Sequence, residues 1–232
     1  MSLEYLYNND TQQMQDRVRA LVARDEPALY AECEEVSRLV DTSSLDAKAD
    51  FASKTHTVGA VFAQMRVDLQ ALSRSLAAHA DVFRTRDGQA DFGSVCRAVT
   101  QIEEGRVQLL SCIGDLTQAR QALFASVANA NLALHFLKTA KLCVPKELHS
   151  RYAKTIERTE AAYAALKELD GSICELQNFS MTFVERHLPA FMERLHTAAD
   201  FNHRGEALDR GAIQTLCTEA LIAINRAPNI TF

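Results

Sequence analysis

Apolar residues recur along most of the chain at the three- and four-residue spacing that places them on one face of a helix. The clearest run covers about residues 44–84, where a heptad is apolar at eight of its ten a and d positions. The a positions are Thr55, Phe62, Leu69, Leu76 and Phe83, and the d positions are Phe51, Val58, Met65, Leu72 and His79. Because a surface helix does not hold this spacing over four heptads, the run predicts a long coiled-coil-like helix.

A second long pattern covers residues 91–142 and has an apolar residue at every d position. Those d positions are Val95, Ile102, Leu109, Leu116, Leu123, Ala130 and Leu137. The a positions are more mixed and are Phe92, Val99, Arg106, Ile113, Arg120, Val127, Leu134 and Lys141. A turn signal at Asp87-Gly88 separates the two patterns within about six residues, so we expect the two helices to pack antiparallel.

The third long pattern covers residues 145–201 and begins at a proline. A second proline, Pro189, lies inside it. Proline removes a backbone donor and its ring clashes with the preceding turn, so Pro189 predicts a kink at about Glu185.

Shorter helical patterns occupy residues 10–41 and 209–225. Within the first of them, Asp25 followed by Pro27 marks a helix start, because aspartate caps and proline is tolerated in the first turn. The cap and turn residues at 41–44 predict a break before the first long helix. No alternating apolar and polar run predicts a strand.

These elements predict an all-α fold: an elongated antiparallel helical bundle with three long coiled-coil-like helices plus shorter terminal helices. We expect one domain over residues 1–232, because no linker is long or polar enough to divide it. The composition agrees with a globular helical protein, with 47% hydrophobic residues, 24% charged residues, eight glycines and four prolines. It argues against collagen, low-complexity chains and turn-rich β-sandwiches.

The chain shows no secretory signal and no run of about 18 apolar residues, so we expect a cytoplasmic protein. It has six cysteines, and no two of them form a Cys-x-x-Cys motif. In a reducing compartment they are expected to be free thiols that pack as small hydrophobes.

Chemistry-bearing motifs are sparse. The sequence contains no phosphate-binding glycine loop, no Gly-x-Ser-x-Gly and no His-Glu-x-x-His. Glu193 and His196 form one Glu-x-x-His, but a di-metal bundle site needs two copies and two further glutamates. His187 and His196 are nine positions apart and therefore lie on opposite sides of a helix. We expect no catalytic residues, no metal and no cofactor, and we keep a helical ligand- or metal-binding enzyme that uses these residues as the third hypothesis.

Charge is unevenly distributed although the formal net charge is only −5. Residues 138–158 carry a net charge of +4, from six basic and two acidic residues, and residues 25–50 carry −6, from two basic and eight acidic residues. The basic cluster consists of Lys138, Lys141, Lys146, Arg151, Lys154 and Arg158. It suits an acidic partner or an anionic membrane, or it is an ordinary solvated face neutralised by the acidic N-terminal segment. A strongly basic nucleic-acid binder is not expected, because the formal net charge of the chain is −5.

Two arginines, Arg106 and Arg120, occupy a positions, where a charge is costly unless it is paired or reaches solvent. Folding the two heptad helices about Asp87-Gly88 brings Arg106 near Asp68. We therefore predict a contact between Arg106 and Asp68 that fixes the register of the helix pair.

The leading functional hypothesis is a non-enzymatic helical scaffold or protein–protein interaction module that self-associates, most simply as a homodimer. The second hypothesis is a peripheral membrane protein. Three long helices in 232 residues resemble, in shape, the BAR-type modules. That resemblance implies a dimer of three-helix coiled coils presenting basic residues to lipid.

Overall fold

A computed structural model describes residues 11–78, 92–194 and 210–227, and within these ranges the chain is helical with no strand. The elements are α1 (Thr11–Arg24), α2 (Glu26–Ala78), α3 (Phe92–Cys143), a 3₁₀ turn (Lys146–Leu148), α4 (His149–Thr182), a π turn (Phe183–His187), a helical segment at 188–194 and α5 (Arg210–Asn225). The all-α bundle prediction is confirmed. The predicted turn at Asp87-Gly88, together with His79 and Phe83, lies outside the described residues.

The chain divides into two compact units. The first unit is Met1–Phe51 with Gln118–Ile173, and the second is Ala52–Thr117 with Cys174–Phe232. The expectation of a single domain stays a prediction.

In the first unit, α2 and α4 run parallel, while α3 and α4 run antiparallel. Glu26 contacts Tyr152 and Ser37 contacts Thr159, so residue numbers on α2 and α4 rise together. Between α3 and α4 they change in opposite directions, as the ion pairs Arg120–Asp170 and Lys138–Glu160 show. The core of this unit is apolar and includes Leu29, Val40, Leu123, Leu137, Ile156 and Leu166.

Helix α2 runs without interruption through residues 41–44, so the predicted break there is wrong. Its start at Asp25 is as expected, because the Asp25 carboxylate accepts the Ala28 backbone N–H at 3.2 Å. Asp41 and Ser43 contact neighbouring helices and do not make a turn. The Ser43 hydroxyl, for example, donates to the Ser126 hydroxyl of α3 at 2.9 Å. A polar residue with a partner on a neighbouring helix has no need of the local turn hydrogen bonds that would end its own helix.

On α3, the d positions are buried as predicted, but the second buried row is not the a row. The described d side chains from Ile102 to Leu137 are all buried. The other row is the g row, which holds only small residues, all of them buried except half-buried Ser126: Gly105, Cys112, Ala119, Ser126, Ala133 and Ala140. Small side chains let a neighbouring helix approach closely, and this arrangement leaves Arg106 and Arg120 at the margin of the buried face.

In the second unit, Met65 of α2 packs directly over Gly105 of α3. A Cβ added at Gly105 would lie 2.7 Å from Met65 Cγ, so only glycine fits there without rearrangement. Elsewhere in the unit Phe62 forms tilted and edge-on ring contacts with Phe179 and Phe183, with each pair of centroids 5.4 Å apart. Aromatic side chains and Met65 thus pack into a core that also holds aliphatic residues, among them Leu69, Leu72, Ile102 and Leu109.

The π turn lies where Pro189 disturbs the third long helix, and Glu185, the expected centre of disturbance, is inside it. Proline cannot donate to the carbonyl one turn earlier, and a π turn accommodates the lost bond. Leu188 and Phe191 beyond it remain buried, and α5 packs against the π turn.

Candidate interaction surfaces

A groove of about 1140 Å³ lies on the second unit between α3 and the helical segment 188–194. Its walls come from a stretch of α3 a little over two turns long and from residues just after the π turn. They are Val99, Thr100, Glu103, Glu104, Arg106, Val107, Gln108, Pro189, Met192 and Glu193. The second wall thus begins at Pro189, directly after the π turn and Leu188.

The floor of the groove is apolar and partly open to solvent. Val107 is 57% exposed. Val99 and Met192 are half-buried, and Pro189 is exposed. Since single exposed apolar residues are common on proteins, the informative feature is that these residues are close together along one concave surface.

The rim of the groove is acidic. Three carboxylates, Glu103, Glu104 and Glu193, face one guanidinium, Arg106, for a net charge of −2 from three negative and one positive charge. The Arg106 guanidinium lies 2.6 Å from the Glu103 carboxylate, and this hydrogen bond raises the pKa of Arg106. With Arg106 held by Glu103, the exposed Glu104 carboxylate leaves a negative charge at the rim, which favours a cationic partner.

The predicted pair of Arg106 and Asp68 is not formed. Arg106 pairs with Glu103 on its own helix, and the buried Asp68 carboxylate accepts a hydrogen bond from Gln64 at 2.9 Å. The physical reason is the close fit of Met65 at Gly105, which makes Gly105 the residue that faces α2. Arg106 is the next residue, and it therefore points about 100° away.

Two of the six residues of the basic cluster, both arginines, contact α2 inside the first unit. The Arg158 guanidinium contacts the Asp41 carboxylate at 2.9 Å, the Glu34 carboxylate at 3.2 Å and the Ser37 hydroxyl at 3.0 Å. The Arg151 guanidinium lies over the Tyr30 ring, 3.5 Å from its centroid. The acidic N-terminal segment thus neutralises part of the basic cluster, as the solvated-face alternative expects.

Of the other four residues of the basic cluster, one is paired with a described carboxylate and three are not. Lys138 pairs with Glu160 at 2.8 Å. Lys146 and Lys154 are exposed, Lys141 is half-buried, and none of the three forms an ion pair with another described residue. The cluster therefore presents three available cations, not six.

The contacts between α2 and α4 shift several pKa values. The Thr155 hydroxyl donates to the Glu34 carboxylate, and this bond lowers the pKa of Glu34. Burial raises the pKa of Asp41 although Arg158 opposes the shift. Burial, reinforced by neighbouring glutamates, raises the pKa of the Cys33 thiol to about 12. These shifts follow from helix packing, and the groups involved do not converge on an open cavity.

The residues of the enzyme hypothesis do not form a site in the described part of the chain. His187 is exposed on the π turn, Glu193 is exposed at the groove, and His196 lies outside the described residues. Among residues 11–78, 92–194 and 210–227, no group of three or more His, Cys, Asp or Glu side chains could hold a metal ion.

Sequence reasoning missed the groove, although one signal for it was present. Val107 and Leu110 are apolar at the b and e positions of the α3 heptad, away from the d row. Apolar residues outside the buried rows mark a second face that needs an explanation.

No protein-family model matches the chain, and neither does any curated protein or any solved structure. None of the helices in the described residues contains a stretch apolar enough, over a sufficient length, to cross a membrane. Function is therefore inferred from the residues and geometry of the chain itself.

Proposed function

We propose that the chain is a non-enzymatic helical interaction protein that binds other proteins through the groove of the second unit. The observation that carries this proposal is the concave, partly exposed apolar surface formed by Val99, Val107, Pro189 and Met192. Burying such a surface against a partner stabilises the complex by roughly 25 cal/mol per Å² of apolar area, before the costs of association.

The geometry supports the two alternatives less well. An enzyme needs a nucleophile, base or metal ligand placed among its partners, and among the described residues His187 and Glu193 are exposed and belong to no group of His, Cys, Asp or Glu side chains that could hold a metal ion. A membrane-surface protein needs a cluster of available cations, and Arg151, Arg158 and Lys138 are already engaged inside the first unit.

Site-specific photo-crosslinking tests the proposal. A photoreactive amino acid is placed at Val107 in the groove and, as a control, at exposed Glu175 in the same unit. In the cells that naturally make the protein, we expect a discrete crosslinked product from position 107 and none from position 175. Mass spectrometry then identifies the partner. Equal crosslinking at both positions, or none at 107, contradicts the proposal.

Self-association, expected from the sequence, stays a prediction. Light scattering of the purified chain measures its mass directly, and a value above the 25.7 kDa of one chain supports it.

A further inference from the structure

The groove has the dimensions of a short helix. Its α3 wall covers the ten residues from Val99 to Gln108, and the nine rises of 1.5 Å between them make it about 14 Å long, or two and a half turns. Its volume of about 1140 Å³ exceeds the roughly 300–1,000 Å³ of typical small-molecule sites. A groove between two helical walls with apolar residues along its floor suits the apolar face of a third helix.

We infer that the groove binds an amphipathic helix of another protein, with lysine or arginine flanking its apolar face. This inference rests on the proposed function and names the class of partner. Because the Arg106 charge is offset by Glu103 at 2.6 Å, the exposed Glu104 carboxylate leaves a negative charge in the lining that favours cations. A second copy of this chain, with its net charge of −5, is disfavoured electrostatically, and so is an anionic lipid surface.

Synthetic peptides of about five helical turns provide the probe, each with leucine at positions i, i+3, i+4 and i+7. One peptide carries lysine at its remaining positions, and its matched control carries glutamate there. Fluorescence anisotropy with the full chain is expected to show at least roughly tenfold tighter binding of the Leu/Lys peptide at low salt. Because exposed charges are screened within about 10 Å at 0.1 M salt, the difference should shrink as salt is added.

Two groove variants and two matched controls locate the binding site. Glu104→Lys reverses a rim charge, and Val107→Gln makes the floor polar without changing the charge. Glu175→Lys and Leu45→Gln make the same kinds of change at exposed positions outside the groove. We expect each groove variant to bind the Leu/Lys peptide roughly five- to tenfold more weakly. The controls should stay within about twofold of the unmodified chain. All four positions are exposed, so circular dichroism should show intact helices.

Methionine methyl groups report where the peptide binds. With ¹³C-methyl methionine, the Met192 signal, assigned by its loss in Met192→Leu, is expected to shift when the Leu/Lys peptide is added. Met65 is fully buried beneath Gly105, and its signal should move less.

Several results would overturn this inference. They are equal binding of the two peptides, equal weakening by groove and control variants, and an unmoved Met192 signal. A dimer that Val107→Gln dissociates, measured by light scattering, would show instead that a second copy fills the groove. If position 107 crosslinks to a partner while the Leu/Lys peptide fails to bind, the partner chemistry is wrong and the proposed function stands. If neither occurs, both fail.

Discussion

At Gly105, the absent side chain determines how closely Met65 can approach α3. An added Cβ would lie 2.7 Å from Met65 Cγ, whereas at Gly114, on the same helix, it would meet nothing within 4 Å. We expect Gly105→Ala to lower the free energy of unfolding by about 1–3 kcal/mol, because Met65 must shift. Urea denaturation measures this change.

The matched substitution Gly114→Ala should act in the opposite direction. Alanine removes backbone freedom from the unfolded chain at a helix interior position, which stabilises the fold by about 0.4–1 kcal/mol. Equal stabilisation by both alanines would show that Met65 does not contact Gly105 in solution.

Glu34 should make stability depend on pH. The Thr155 hydroxyl, then Tyr30 and Arg158, lower its pKa below the ordinary 4.5. A carboxyl whose pKa is lowered by folding adds stability above its unfolded pKa, and that stability is lost as pH falls through the folded value. Glu34→Gln should therefore cost about 1 kcal/mol at pH 7 and less near pH 3.

Denaturant unfolding of the unmodified chain and Glu34→Gln at both pH values tests this. Asp41, whose pKa is raised by burial, has the opposite pH dependence but is present in both proteins. A difference between the two proteins that does not change with pH would contradict the prediction.

The cysteine thiols should fall into two reactivity classes. Cys33 and Cys217 are buried, and burial raises their pKa to about 12 and about 11. Cys143 and Cys174 are half-buried. Since the thiolate is the reactive form, Ellman's reagent at pH 8 should modify the second pair first. Peptide mapping checks the order, and early labelling of Cys33 would contradict the burial.

At the level of elements, the continuity of α2 can be tested with one substitution. If α2 is uninterrupted, Ser43→Pro removes a helical hydrogen bond and introduces a clash that together cost about 3 kcal/mol or more. The control Ser43→Ala loses only the bond to Ser126, about 1 kcal/mol. Thermal unfolding followed by circular dichroism measures both. Equal effects would restore the predicted break at 41–44.

The elements also show which signals in the sequence were sufficient. The d rows predicted the buried faces of α2 and α3, because a repeated row of large apolar side chains is favourable only when it is buried. The g row of α3 was missed, because small residues from Gly105 to Ala140 carry little hydrophobic signal although they allow close packing. Ser43 was misjudged for a related reason, since serine ends helices locally but also pairs between helices.

For the molecule as a whole, we expect weak binding to anionic membranes. Each lysine near such a surface contributes about 1 kcal/mol, and Lys141, Lys146 and Lys154 are opposed by the nearby Glu147 and Glu157. Co-sedimentation with vesicles containing phosphatidylserine at physiological salt should therefore leave most of the protein in solution. Strong binding that Lys141→Glu with Lys146→Glu abolishes would revive the membrane hypothesis.

The groove could not be predicted from the sequence, because it depends on a meeting of distant segments. Val107 on α3 and Met192 after the π turn are 85 positions apart. No local pattern indicates that these two residues line one surface. The basic cluster illustrates the converse, since it was visible in the sequence while the contacts of Arg158 with Glu34 and Asp41 were not.

The small-residue row of α3 repeats every seven positions, so it looks nearly the same after a slide of one heptad, about 10 Å. Such a row is compatible with several alignments of α2 and α3 and does not favour any one of them. The alignment is determined instead by contacts that do not repeat along the helix, above all that of Met65 with Gly105. Loss of that single pair would therefore leave neighbouring alignments of the two helices in competition.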